Sequence, residues 1–115
     1  MTARTLEIVS PDEDDWFEPD DHWGVRSHWV ATAQAGARVQ VCEMAAGGGA
    51  ESHVHDDAEQ TFYVVEARLE VDDGAGTCVQ VGAGEALRVP AGVPHATTNP
   101  GEEKTRYLVV TAATP

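Results

Sequence analysis

The sequence predicts an all-β fold, a sandwich or a barrel, and three observations carry that prediction. Short runs alternate apolar and polar residues, as in "ARVQVCEM" (37–44), where Val39 and Val41 share one face and Arg38, Gln40 and Cys42 the other. Clusters of Gly, Pro and Asp interrupt these runs at short intervals, as in "DDGAG" (72–76), "GAGE" (82–85) and "PGEEK" (100–104). No long stretch repeats apolar residues at the three- and four-residue spacing of a helix. Together they predict about eight to ten short strands in one layered or closed sheet.

The elements follow in chain order. Residues 1–24 are expected to form an acidic N-terminal arm, because seven of the 20 acids fall in "PDEDDWFEPDDHW" (11–23). Such a run is ordinarily solvated. Its aromatic residues, Trp16, Phe17 and Trp23, predict that it folds back onto the barrel mouth or onto a second subunit. Residues 25–115 are expected to form the barrel. "SHWV" (27–30) reads as a strand, and "AAGGGA" (45–50) reads as a tight turn. That turn lacks the Lys and Ser/Thr of a phosphate-binding loop. "QTFYVVE" (60–66), "RLEV" (68–71), "TCVQV" (77–81), "ALRV" (86–89), "PHATTN" (94–99) and "TRYLVVT" (105–111) supply further strands.

Composition sets bounds on function. A chain of 115 residues suits one domain, and 42% hydrophobic residues suffice for a core. No apolar run approaches the ~20 residues that span a bilayer, and the N-terminus has no long apolar stretch of a secretory signal. The expected location is cytoplasmic. A formal net charge of -13 repels nucleic acid and anionic membranes, so neither is an expected partner. Cys42 and Cys78 form no C-x-x-C pair and are expected to be reduced, buried thiols.

The chemistry concentrates in "HVHDDAEQTFYVV" (53–65). His53 and His55 stand two apart and point to the same face of a strand. Their imidazoles can converge on one ion at about 2.0–2.1 Å. His95, after the proline-stiffened "VPAGVP", is the candidate third ligand if its strand lies beside the first. Imidazole suits Zn, Ni and Fe and, with oxygen donors, Mn.

At this point the chain resembles a small single-domain cupin. Gly84, Pro90, Gly92, His95 and Asn99 match the family's second motif without departure. Gly47, His53 and His55 match the first motif on spacing. That motif then asks for a glutamate and a glycine, where this chain has Glu59 or Gln60, and Ala67. Counting back from Ala67 selects Gln60, and counting on from His55 by three selects Glu59. The phrase "FYVVEA", similar to the family's usual "FYVLEG", favours Gln60, with Phe62 and Val64 on its face. A bulge at 56–59 would re-aim Glu59 instead. A glycine at Ala67's place sits where φ is often positive, and alanine there costs about 1 kcal/mol if so.

The resemblance implies a double-stranded β-helix, the jelly-roll barrel, with a divalent metal held by His53, His55, Gln60 and His95. It also implies a homodimer. Three imidazoles and an amide leave the ion its full charge of +2, which favours Lewis-acid chemistry over oxygen activation. The leading expectation is an isomerase, lyase or cyclase acting on a small oxygenated substrate. An iron-dependent dioxygenase and a non-catalytic small-molecule or sugar binder are the alternatives. Glu59, His28 and Tyr63 are the candidate acid–base groups. Against these roles stand plainer ones: a relic site at the histidines, a solvated His22, and His28, Tyr63 and Tyr107 as core or sheet-face residues. Arg88 alternates against Leu87 and Val89, which puts it on the outer face; turned inward it would bind an anion.

Overall fold

The computed structural model describes residues 6–32 and 36–114. A single turn of 3-10 helix at Glu13–Asp15 precedes eight strands. These are β1 (His22–Thr32), β2 (Ala37–His53), β3 (Ala58–Glu66), β4 (Arg68–Asp72), β5 (Cys78–Gly82), β6 (Ala86–Val89), β7 (His95–Thr98) and β8 (Thr105–Ala113). Every pairing is antiparallel, in the order β5-β4-β7-β2-β8-β3-β6, with β1 added to β2. The result is a nearly closed all-β barrel. Among the described residues no helix is long and apolar enough to cross a membrane.

Strand β2 joins the two layers. Ala37–Met44 pairs with β8, and Gly49–His53 pairs with β7. "AAGGGA" is therefore not the tight turn its glycines suggest. It lies within one 17-residue strand, at the bend where that strand passes from one layer to the other. Close approach explains Gly49: a Cβ there would stand 2.6 Å from the Trp23 ring and 2.7 Å from the Thr97 carbonyl. Asn99 holds the same bend from below. Its buried Nδ2 donates to Met44 O (3.1 Å) and Glu103 O (2.7 Å), and its Oδ1 accepts from Gly101 N (3.0 Å).

Alternation sorts the side chains. Val25, Met44, Phe62, Val64, Leu69, Val71, Val81, Val89 and Val109 fill the interior. Each such side chain stabilises the fold by roughly 1.5–3 kcal/mol when fully buried. The outer face of the same strands gathers charge. Buried Glu43 accepts from Arg26 Nε (2.7 Å) and Arg106 Nη2 (2.7 Å), and Lys104 lies 3.3 Å away. Burial alone would raise the Glu43 pKa, but these cations hold it down at about 2. Cys42 is buried as expected. Cys78 is exposed, because it lies with Gln80 on the face of β5 opposite buried Val81.

The acidic arm folds back on the barrel through its aromatics. Phe17 and Ser27 exchange backbone hydrogen bonds of 3.0 and 2.8 Å. Trp16 stands edge-on to His28 at 4.5 Å, with the Arg26 guanidinium 4.1 Å over its ring. The strand β1 begins at His22, inside the segment read as arm.

Ala67 joins β3 to β4 with φ 64°, in the left-handed region. Alanine is strained there and glycine is not. Ala67→Gly is therefore expected to stabilise the protein by about 1 kcal/mol, net of the added freedom of the unfolded chain. Urea denaturation checks this, and an unchanged or lower midpoint would refute it.

Candidate metal centre

Pairing of β2 with β7 sets His53 directly opposite His95. Their ring centroids are 4.3 Å apart. His55 lies just past the end of β2 rather than within it, and its ring is 5.1 Å from His53 and 5.9 Å from His95. One ligand atom from each of the three lies within 4.8 Å of the others. The turn at 90–94 holds this arrangement, with Gly92 N donating to His55 O at 2.7 Å.

Backbone carbonyls orient two of the rings. His53 Nδ1 is 2.9 Å from Glu51 O, and His95 Nδ1 is 3.1 Å from Val93 O, each a contact to residue i−2. Donation from Nδ1–H there leaves Nε2 with its lone pair facing the cluster. His55 Nε2 is buried and has no hydrogen-bond partner. Burial lowers the His55 pKa, the neighbouring His53 lowers it further, Asp57 opposes this, and the Arg38 charge lowers it again. His95 is lowered by burial, against the Val93 contact. Both rings are thus neutral, ligand-ready bases near pH 7.

The adjacent pair "EQ" divides between two faces. Gln60 is buried and points inward; its Nε2 donates to Thr111 Oγ1 (3.1 Å), and its Oε1 stands 3.0 Å from His95 Nε2. Glu59 points outward and pairs with Arg88 Nη2 at 2.9 Å. A neutral His95 has a single N–H, yet its two nitrogens face two carbonyl oxygens. A cation between Nε2 and Oε1 would satisfy the contact that the proton cannot. The orphaned His55 Nε2 makes the same point. The donor set, three neutral imidazoles and a carbonyl oxygen, fits a divalent transition metal.

A cavity of about 380 Å³ opens beside the cluster. His53, His55 and Gln60 line it, together with Ser27, Cys42, Tyr107 and Thr111. The candidate acid–base groups from the sequence are elsewhere. Glu59 is held on the outer face by Arg88. His28 is buried under Trp16 on the outer face of β1, with Nδ1 unpartnered. Tyr63 alternates with inward Phe62 and is exposed on the outer face of β3. His22, expected to be solvated, instead lines the cavity, 6.2 Å from the His53 ring. The local pattern around His22 carries no signal of this; the arm aromatics that fold it inward were the available clue. Tyr107, expected in the core or on a sheet face, is buried yet reaches the cavity, and burial raises its pKa well above the usual value.

A nearly closed antiparallel barrel with a histidine triad at one end defines a protein of the double-stranded β-helix class. The chain belongs to the cupin family: the cupin domain family matches residues 40–111. No curated protein matches the sequence. Solved structures share the fold at low identity. A cupin 2 conserved barrel domain protein from Salinispora arenicola superposes with a TM-score of 0.79 at 21% identity, covering 95% of this chain and 90% of that one. The polyketide cyclase RemF from Streptomyces resistomycificus gives 0.75 at 20% identity, covering 95% and 83%. The Schizosaccharomyces pombe Cnp3 cupin domain gives 0.73 at 18% identity, over 80% of this chain and 66% of that chain.

The lowered His55 and His95 pKa values predict that both rings titrate below 6.5 in metal-free protein. The unfolded chain then binds more protons than the folded one as pH falls through 6.5, so these two groups cost stability on acidification. Imidazole NMR of chelator-treated protein measures this; titration at or above 6.5 would contradict it.

Proposed function

We propose that the chain is a metal-dependent enzyme that uses a divalent ion as a Lewis acid on a small oxygenated substrate, in isomerase, lyase or cyclase chemistry. The observation that carries this reading is the contact between His95 Nε2 and Gln60 Oε1, an amide where a carboxylate would lower the charge of the site. His53, His55, His95 and Gln60 would hold the ion. When bound, it would polarise a carbonyl or hydroxyl oxygen and stabilise the negative charge that develops there.

The remaining work falls to the chain itself. Thr111 orients the Gln60 amide from β8. His22, with Nδ1 against the Asp20 carbonyl at 2.7 Å, keeps Nε2 available as a proton acceptor at the cavity wall. Phe62, Val109 and Trp29 give the cavity apolar walls that limit water around a bound substrate.

Metal uptake by untagged protein, followed by elemental analysis and calorimetry, tests this reading. Gln60→Ala is expected to weaken binding by on the order of tenfold, and His95→Ala by more. Glu59→Ala should leave affinity unchanged, and Gln60→Glu should tighten it. Absence of uptake after supplementation, or sensitivity to Glu59 instead of Gln60, would overturn the assignment.

A homodimer is proposed on a separate observation. Leu6 and Ile8 are 104% and 91% exposed, in a segment with no regular secondary structure. The outer face of β2, β8 and β3 meanwhile presents Val41, Leu108 and Tyr63 in one cross-strand row. A second copy whose arm covers this row would bury both. Sedimentation velocity should give twice the mass of one chain, with Leu6→Asp/Ile8→Asp shifting it to monomer; a monomeric wild type would exclude the dimer.

A further inference from the structure

We infer that Arg38 and Trp29 form an anion subsite in the histidine cavity, so that the substrate is a small carboxylate with a second oxygen function for the metal. This rests on the metal reading above for the role of that second oxygen, but the subsite itself is built from other residues. Arg38 occupies the inner face of β2, in one cross-strand row with Thr111 of β8 and Gln60 of β3. Trp29 of β1 belongs to the next row, opposite Gln40. The Arg38 guanidinium lies 5.3 Å from the Trp29 ring centroid, and both residues line the cavity.

Of the described basic residues, Arg38 and Arg68 are in no ion pair, and only Arg38 of these two lines the cavity. Arg26, Lys104 and Arg106 are paired with Glu43, and Arg88 is paired with Glu59. Arg38 is in no ion pair among the described residues, although the chain carries 20 acids to 7 bases. It is also the one cationic side chain among those lining this cavity. Asp20 and Asp21 of the arm also line the cavity, and neither forms an ion pair with Arg38. A cation–π contact of this kind restrains the guanidinium without consuming its N–H donors, and no side-chain hydrogen bond of Arg38 is found among the described residues, which suits it to bidentate capture of a carboxylate.

A matched pair of probes tests this. 4-Hydroxybenzoate and 4-hydroxybenzamide share a ring and a phenolic oxygen, and they differ in charge. Each is titrated calorimetrically into zinc-loaded and chelator-stripped protein, with zinc content measured on the same samples. The acid is expected to bind at least about tenfold more tightly than the amide. Arg38→Gln should abolish that preference, Arg38→Lys should keep part of it, and Trp29→Leu should weaken both probes. Thermal melts confirm that the variants fold, which the exposed position of Arg38 favours. An acid that binds no better than the amide, that fails to bind, or that keeps its preference in Arg38→Gln overturns the subsite. If no sample takes up zinc, the metal reading falls, while the acid-to-amide ratio in the stripped protein still decides the subsite.

Discussion

The pairing of β2 with β7 is the constraint on which the site depends. It sets His53 opposite His95, and a one-residue slip would turn one of the two rings out of the barrel. The register is protected at both ends of the contact. Gly49 lets Trp23 and the Thr97 carbonyl approach more closely than any Cβ would allow. Asn99, just beyond β7, ties the bend in β2 to the turn before β8 with three hydrogen bonds. The glycine and asparagine that frame the histidines are thus parts of the mechanism that aligns them.

Charge is distributed by the same alternation. On the outer face, Glu43 gathers three cations, and Glu59 takes a fourth. Inside, the deeper cavity wall is neutral: Ser27 and Cys42 lie 3.1 Å apart, with Tyr107 beside them. Burial pushes the Cys42 thiol up to about 11, so it is no thiolate nucleophile at neutral pH. A wall of undissociated donors with one cation at its edge suits an oxygen-rich ligand better than a covalent mechanism.

Much of the fold was legible in the sequence because its periodicity is simple. Alternation separates Gln60 from Glu59 and Arg88 from Val89 with no knowledge of tertiary contacts. The motif around His95 frames its strand start on both sides. Legibility ended where position depends on long-range folding. The glycines of β2 suggest a turn by composition, and only the packing of Trp23 against Gly49 shows why the strand continues through them. Cys78 sits in an alternating run like any other, and its exposure follows from its place on the face opposite Val81. His28 and Tyr63 had chemically suitable side chains; the outer face of the sheet removes them from the cavity. His22 is the converse case, brought in by an arm whose acidity suggested solvent.

That arm is coupled to the histidine cluster through one residue. Glu51 N donates to Asp21 O at 2.9 Å, and Glu51 O accepts the His53 Nδ1 contact at 2.9 Å. Asp21 reaches this position with φ 60°, a left-handed conformation that aspartate tolerates but does not prefer. The arm is anchored farther back by the Phe17–Ser27 bridge and by Trp16 between Arg26 and His28. Displacing it would therefore remove His22 from the cavity wall and free the peptide that orients His53. The arm thus supplies one residue of the cavity wall and the hydrogen bond behind the peptide that faces His53, which makes it part of the site rather than a cover laid over it.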